Sequence, residues 1–252
     1  MNLAINKVIL TLSNRLNIIK TAFNGTRRKT MAFISVFEVI GPNMVGPSSS
    51  HTAGAASIAR LAWKMVHEKI KRVKFTLYGS FAQTYRGHGT DRALLGGMMG
   101  FETDDVRIRD SFEIAEKEGI EFSFEANTVE TDVHPNTVDM EIEDVSGRIL
   151  TVRGESLGGG KVKLTRINGV KVHFTGEYEA IIVVHKDHPG VISKITNVFG
   201  KQHVNIAFLR VYREQKGGDA YMIIESDEQI TASAVEEIEK NPFVRETMLI
   251  RR

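Results

Sequence analysis

The sequence predicts a chain of mixed α+β class, and three observations support this prediction. Between residues 57 and 70, apolar side chains recur at the spacing of one helix face. Turns at Ser146-Gly147 and Asn168-Gly169, each placed between short apolar runs, indicate two β-hairpins. From residue 180 onwards, strand and helix patterns follow one another in the order βαββαβ. The last pattern differs from the earlier ones, so we expect two domains.

The first domain is expected over residues 31–175. After its first helix, apolar and polar residues alternate at 73–77, which predicts a strand. Residues 79–90 are rich in glycine and polar side chains and predict a loop. Two short helices are expected next, one at 91–99 and one from 110 to a closing glycine at 119.

The second domain is expected over residues 178–252. Pro189 and Gly190 mark the start of its first helix, and Pro242 ends its second. The predicted elements are strands at 180–184, 204–211, 220–224 and 244–250 and helices at 190–199 and 231–239. Four strands and two helices in this order form a ferredoxin-like unit.

The composition is that of a globular protein, since 42% of the 252 residues are hydrophobic and 25% are charged. The chain has no cysteine, which excludes disulfides and thiolate ligation of zinc or of an iron–sulfur cluster by this chain. No apolar run is long enough to span a bilayer. We therefore expect neither a membrane protein nor a chain that holds a cluster by itself.

The charge is unevenly distributed, because residues 1–30 carry six basic side chains and no acid. Without those six, the remaining 27 basic and 31 acidic residues give a net charge of −4. A mildly acidic domain lacks the basic surface that binds nucleic acid. Residues 1–30 are basic and partly amphipathic, and we expect them to be a dispensable extension.

The segment GPSSSHTAGA at 46–55 is the strongest functional signal in the chain. It places four hydroxyl side chains around one imidazole, His51, directly before the first helix. The first amides of a helix have no intrahelical partner and carry partial positive charge, so they and the hydroxyls can bind an anion. Because histidine can transfer protons near neutral pH, we expect a site for a small carboxylate or phosphate with a proton acceptor beside it.

Other interpretations of this segment are weaker. Serine and threonine are common N-caps, but capping uses one or two hydroxyls rather than four. A serine hydrolase needs a histidine that faces its serine, and the sequence has no G-x-S-x-G turn. A Walker A phosphate loop is excluded because no Gly-Lys-Ser/Thr follows the glycines.

The second domain closely resembles the ACT domain, a small regulatory module that binds ligands. The residues that carry the resemblance are Asp187, His188, Pro189, Gly190 and Val191, with Val204, Asn205 and Ile206 opening the second strand. The resemblance implies two properties, a small bound effector and pairing of ACT domains into a higher oligomer. The effector residues it implies are Asp187, His188, Gly190, Val191, Asn205 and Ile206.

Together, the two domains resemble the β subunit of the iron–sulfur-dependent L-serine dehydratases. Besides GPSSSHT, the motifs that carry this resemblance are SVFEVIGP at 35–42, GSFAQTYRGHGTDRALLGG at 79–97, HPNT at 134–137 and SLGGG at 156–160. The resemblance covers residues 31–252. The amino-terminal half is also similar to the allosteric substrate-binding domain of some phosphoglycerate dehydrogenases.

This resemblance implies a cytoplasmic lyase that converts L-serine to pyruvate and ammonia. It also implies a [4Fe–4S] cluster whose cysteines lie in an α subunit. Because this chain has no cysteine, it would be half of an enzyme and would need that α partner. A cluster iron with an open position can act as a Lewis acid, while this chain would hold the amino acid and shift protons.

We expect His51 to act as the general base or acid. The candidate residues for binding substrate are Ser48, Ser49, Ser50, Thr52, His88, Thr90, Asp91, His134 and Asn136. The glycines near His88 allow close approach of the backbone to a ligand. His134 and Asn136 are weaker candidates, since His-Pro-Asn also forms ordinary turns. No residue is expected to bind a metal.

A second class of function also fits the sequence. In this alternative, the chain is a regulatory subunit that senses amino acids and takes no part in the chemistry. The distance between His51 and the cluster in the assembled complex distinguishes the two hypotheses.

Overall fold

The computed structural model describes residues 43–252. The extension expected at residues 1–30 and the SVFEVIGP motif at 35–42 lie outside the described residues. Within 43–252, none of the helices combines the length and the apolar character that crossing a bilayer requires.

The first part of the described chain, up to Phe174, contains helices and one large sheet. Its helices are α1 (Gly54–Trp63), α2 (Gly79–Thr84), α3 (Thr90–Met98) and α4 (Ser111–Glu118). Its strands are β1 (Ile70–Tyr78), β2 (Glu121–Asn127), β3 (Thr137–Asp144), β4 (Ile149–Gly158), β5 (Lys161–Ile167) and β6 (Val170–Phe174). A π-helical turn, Ser49–Ala53, leads directly into α1.

The six strands form a sheet in the order β2-β1-β3-β4-β5-β6, in which only β1 and β2 run parallel. Its apolar face packs on the helices, and Phe75, Met140 and Leu164 share a core with Ile58 of α1 and Leu94 of α3. The strand directions bring the ends of β1, β2 and β4 and the start of β3 to one edge of the sheet. The loops that carry the candidate site converge there.

Several predictions for this part are confirmed, and others are wrong. The hairpin turn at 168–169 is present, with both residues at the positive φ of a type I′ turn (47° and 83°). The first helix was expected to reach Ile70, but it ends at Trp63, and Ile70 begins β1 opposite Asp144. Residues 79–84 are helical, although their glycine and polar side chains predicted a loop. Burial of Phe81 stabilises this helix. Strand β2 was not predicted.

The second part has the predicted order of elements. They are β7 (Glu179–Lys186), α5 (Val191–Lys201), β8 (Ile206–Arg213), β9 (Asp219–Ser226), α6 (Ala232–Glu239) and β10 (Val244–Ile250). The strands form an antiparallel sheet in the order β10-β7-β9-β8, which confirms the ferredoxin-like unit. The second strand of this unit begins at Ile206 rather than at Val204.

Strand β7 is buried on both faces. Ile181 and Val183 lie in the core beneath α5 and α6, whereas Ile182 and Val184 belong to the core that contains Leu61 of α1. A strand with both faces buried is expected to read as a continuous apolar run, as residues 180–184 do.

Candidate active site

The π-helical turn Ser49–Ala53 holds the candidate site, and Ser48 caps it. The Oγ of Ser48 accepts a hydrogen bond from the backbone N of His51 at 3.2 Å, and its carbonyl accepts from the N of Thr52 at 2.8 Å. Capping therefore accounts for one of the hydroxyls in the row. Single π turns within helices are often found at functional sites, where they redirect a side chain.

The imidazole of His51 has a hydroxyl next to each ring nitrogen. Its Nδ1 lies 3.1 Å from the Oγ of Ser50 and 3.3 Å from the Oγ of Ser48. Its Nε2 lies 2.9 Å from the Oγ of Ser80, the second residue of α2. Because a hydroxyl can donate or accept, this arrangement accommodates either tautomer of a neutral imidazole.

Two further rings surround His51. The ring centroid of His88 is 4.8 Å away and that of Phe81 is 5.3 Å away, and both meet the imidazole edge to face. Burial lowers the pKa of His51 below 6.5, and the neighbouring His88 lowers it further. At neutral pH, His51 is therefore uncharged and can accept a proton.

His88 and Thr90 lead into α3. The Nδ1 of His88 is buried and has no hydrogen-bond partner among the residues that the structure describes. Thr90 is fully buried at the start of the helix, and its hydroxyl likewise has no partner within residues 43–252. The structure thus brings His88 to His51 but turns the side chain of Thr90 into the protein.

Asp91 lies in the first turn of α3 and is partly buried. Its Oδ1 accepts a hydrogen bond from the backbone N of Arg92 at 2.8 Å. Burial raises the pKa of this carboxyl, although the backbone hydrogen bonds oppose the increase. A carboxylate at this end of a helix is stabilised by the helix dipole, which gives Asp91 a structural role independent of any ligand.

Thr52 and Ser49 shape the loop rather than contact the imidazole. A Cβ on Gly46, whose φ is 131°, would lie within 2.9 Å of three side-chain atoms of Thr52. The hydroxyl of Thr52 is buried and has no partner in the described part of the chain. The backbone carbonyl of Ser49 accepts the N–H of Gly54 and so continues the helical turn.

His134 and Asn136 form the loop that precedes β3. The Nδ1 of His134 accepts from the backbone N of Asn136 at 3.2 Å, and the Nδ2 of Asn136 donates to the carbonyl of Ser156 at 3.4 Å. Between them, the carbonyl of Pro135 accepts from the N of Phe81 at 3.2 Å. The loop therefore supports α2, and within residues 43–252 no hydrogen bond joins it to His51.

The sequence analysis missed two residues of this site, Ser80 and Ser156. Ser80 was hidden because 79–90 was expected to be a loop, although a residue just beyond a strand end is a common place for a functional side chain. Ser156 is fully buried, and its hydroxyl occupies the space where Gly54 has no Cβ. This close approach explains why a glycine begins α1.

The candidate effector residues do not form one site within a single chain. Asp187 lies at the end of β7, where it pairs with Arg213 and accepts from the N of Gly217 at 3.0 Å. These contacts, the backbone bond foremost, lower the pKa of its carboxyl. Asn205 lies at the opposite end of the sheet, where its N donates to Glu228 at 2.9 Å. Within one chain, Asp187 and Asn205 are therefore separated by the length of α5.

The other candidate effector residues have structural roles of their own. The exposed ring of His188 stacks on Phe243, with centroids 4.2 Å apart and planes at 11°. Gly190 has a φ of 88° at the N-cap of α5, and Val191 is buried in the core beneath that helix. Ile206 is partly buried and begins β8.

The described residues contain no group of three or more histidine, cysteine, aspartate or glutamate side chains arranged to hold a metal ion. The full sequence has no cysteine. Because iron–sulfur clusters in proteins are held by cysteine thiolates, this chain does not fit the role of cluster ligand.

Comparison with known proteins gives two family matches. Residues 35–166 match the family described as serine dehydratase beta chain, and residues 180–243 match the ACT domain. The "Probable L-serine dehydratase, beta chain" of Bacillus subtilis (strain 168) is 43% identical over 214 residues, which cover 85% of this chain and 96% of that protein. The "L-serine dehydratase, beta chain" of Peptoniphilus asaccharolyticus is 42% identical over 203 residues, covering 81% of this chain and 91% of that one.

A more distant relative belongs to a different enzyme. The D-3-phosphoglycerate dehydrogenase of Bacillus subtilis (strain 168) is 25% identical over 197 residues, which cover 78% of this chain but 37% of that enzyme. The two β chains, by contrast, are matched over nearly their whole length, in agreement with the resemblance drawn from the sequence motifs. This chain therefore belongs to the serine dehydratase β-chain family and carries an ACT domain in its carboxy-terminal part.

Proposed function

We propose that this chain is the β subunit of a two-chain L-serine dehydratase, which converts L-serine to pyruvate and ammonia. The observation that carries the proposal is identity above 40% to two named β chains over more than nine-tenths of their length. The neutral, hydroxyl-flanked His51 supports it, because this elimination requires proton transfer. The partner would be the α subunit of the same enzyme.

The proposal assigns the [4Fe–4S] cluster to the α subunit. The absence of cysteine from the full sequence supports that division, since iron–sulfur clusters are held by cysteine thiolates. The contribution of this chain is then to bind the amino acid and to move protons.

The reaction is an elimination followed by hydrolysis. L-Serine loses its α-proton and its β-hydroxyl as water and becomes 2-aminoacrylate. This enamine takes a proton on its methylene carbon to give the imine, which water hydrolyses to pyruvate and ammonia. In the proposal, His51 accepts the α-proton or donates a proton to the departing hydroxyl. His88 is the second candidate, because its Nδ1 is buried and has no hydrogen-bond partner within residues 43–252.

The hydroxyls beside His51 would bind the carboxylate of the substrate. Ser48 and Ser50 lie next to the imidazole, and Ser49 lies between them in the chain. Thr52 and Thr90 are buried and Asp91 accepts from the backbone N of Arg92, so these residues would act by holding the loop and the start of α3. His134 and Asn136 would act in the same way through the loop before β3.

Reconstitution tests the proposed function. The chain and the α subunit are purified anaerobically and assayed for pyruvate formation from L-serine, first separately and then together. We expect activity only in the mixture. Activity of this chain alone would contradict the division of labour, and an inactive mixture with an intact cluster would contradict the activity itself.

The ACT domain would supply regulation. We propose that it binds a small effector near Asp187, His188, Gly190, Val191, Asn205 and Ile206 and pairs with the ACT domain of a second copy. Since the two ends of this set are apart within one chain, a complete site would need residues from both copies. Dependence of effector binding on dimer formation, measured by calorimetry over a range of protein concentrations, tests this.

The match to a phosphoglycerate dehydrogenase favours a second candidate function. Since the two enzymes catalyse different reactions, the second candidate assigns the shared region to the sensing of an amino acid and not to catalysis. In that case, removal of the His51 imidazole would change the response to ligand and leave the maximal rate of the complex intact.

A further inference from the structure

Ser80 is the single residue of another element that hydrogen-bonds the His51 ring within residues 43–252. The other two partners, Ser48 and Ser50, lie in the same loop as His51 and would move with it. The Oγ of Ser80 lies 2.9 Å from Nε2 and 29 positions further along the chain. This contact therefore fixes the ring relative to the sheet.

The backbone on both sides of Ser80 is tightly held. Before it, the hydroxyl of Tyr78 at the end of β1 donates to Asp139 at 2.7 Å. Gly79 has a φ of 52°, and a Cβ there would lie 2.7 Å from the Cα of Pro135. After it, the N of Phe81 donates to the carbonyl of Pro135. A side chain held from both directions is preorganised for the contact that it makes.

The proton arrangement gives this contact a chemical consequence. A neutral imidazole carries one N–H, and its position depends on which nitrogen has the better donor or acceptor. Two hydroxyls compete at Nδ1, and one of them, Ser48, already accepts the backbone N–H of His51. At Nε2, Ser80 has no competitor within the described part of the chain.

From these contacts we infer that Ser80 is a positioning residue, which orients the imidazole of His51 relative to the sheet and contributes to the balance between its two tautomers. The inference deepens the proposed function and rests on it for its catalytic meaning. The positioning itself is a property of this chain alone.

Two measurements test the role, one without and one with the α subunit. Nitrogen-15 chemical shifts of the imidazole report the ratio of the two tautomers of His51 in the isolated chain, and we expect this ratio to differ between the original chain and Ser80→Ala. In the reconstituted complex, Ser80→Ala should lower kcat by about 10- to 100-fold with little change in KM. Ser80→Thr keeps the hydroxyl, so it should restore both the tautomer ratio of His51 and the value of kcat.

A control separates positioning from the stability of α2. The hydroxyl of Thr84 donates to the carbonyl of Ser80 at 2.8 Å and has no bond to His51. Thr84→Val should therefore weaken α2 without changing the tautomer of His51. An unchanged tautomer and an unchanged kcat in Ser80→Ala would overturn the inference. Failure of the unsubstituted complex to form pyruvate would overturn the proposed function. The nitrogen-15 shifts of the isolated chain would still test whether Ser80 positions the imidazole of His51.

Discussion

The imidazole of His51 meets that of His88 edge to face, with ring centroids 4.8 Å apart. A positive charge on His51 at this distance is disfavoured by the neighbouring His88, which lowers the pKa of His51. His51 is also partly buried, and burial is the larger cause of its lowered pKa. The pair therefore supplies an uncharged proton acceptor at neutral pH.

Replacement of His88 should raise the pKa of His51. In His88→Gln the repulsion is removed while burial persists, so the pKa should move toward 6.5 without reaching it. NMR titration of the His51 ring protons measures the change. His173→Gln, which alters an exposed histidine on β6, is the matched control and should leave the pKa where it was.

The same pair should make stability depend on pH. Because the pKa of His51 is lower in the folded chain, the unfolded chain binds a proton first as the pH falls through about 6.5. The free energy of unfolding should therefore decrease from pH 7 toward pH 5, and less steeply in His88→Gln. Urea unfolding at several pH values measures it, and equal slopes in the two proteins would contradict this account.

Replacement of His51 by asparagine should separate proton transfer from binding. Asparagine keeps hydrogen-bonding groups but cannot accept a proton, so the reconstituted complex should lose kcat by about 10²-fold or more. Steady-state kinetics with L-serine measure the effect. A higher KM with an unchanged kcat would assign His51 to binding instead.

Gly54→Ala should destabilise the turn that carries His51. The new Cβ would overlap the hydroxyl of Ser156. Such overpacking typically lowers the unfolding free energy by about 1–3 kcal/mol. Ser156→Gly in the same chain should restore part of the loss. Gly200→Ala is the control, because Gly200 is also helical and a Cβ there would meet no atom within 4 Å in residues 43–252 other than those of its own helix and its chain neighbours, so it should lose nothing.

Lys171→Glu should stabilise the first sheet. Arg166 on β5 lies opposite Lys171 on β6, and neither has an acidic partner within residues 43–252. An opposite charge at this position should add about 0.2–1 kcal/mol to the unfolding free energy. Lys171→Gln removes the repulsion without forming the pair, so it should give a smaller gain. Thermal unfolding at low and high salt distinguishes the two, since only an electrostatic gain is screened.

The elements that the sequence predicted well are those with local signals. Asn168-Gly169 specifies its turn by backbone conformation alone, and the apolar run at 180–184 is unambiguous. The ferredoxin-like unit followed from such local patterns. Helix α2 was missed because its stability comes from burial of Phe81 in a core assembled from distant segments, which no local pattern reveals.

The site shows the same division. The hydroxyl residues around His51 are contiguous in the sequence, so the sequence alone was enough to predict them as a site. Ser80 and His88 approach His51 because the segment that follows β1 folds back beside the π-helical turn, which no local sequence pattern reveals. The position of Asn205, far from Asp187, likewise depends on the direction of α5 rather than on either residue.

Strand β7 has a thermodynamic consequence because its alternate side chains belong to different apolar interiors. Deleting all residues after Gly176 would remove Ile182 from the core that it shares with Leu61, and it would expose an apolar surface on α1, the helix that follows His51. The two halves should consequently melt in a single cooperative transition. Any molecule that tightens the carboxy-terminal half would then protect the histidine-bearing loop from transient opening, with no direct contact between them.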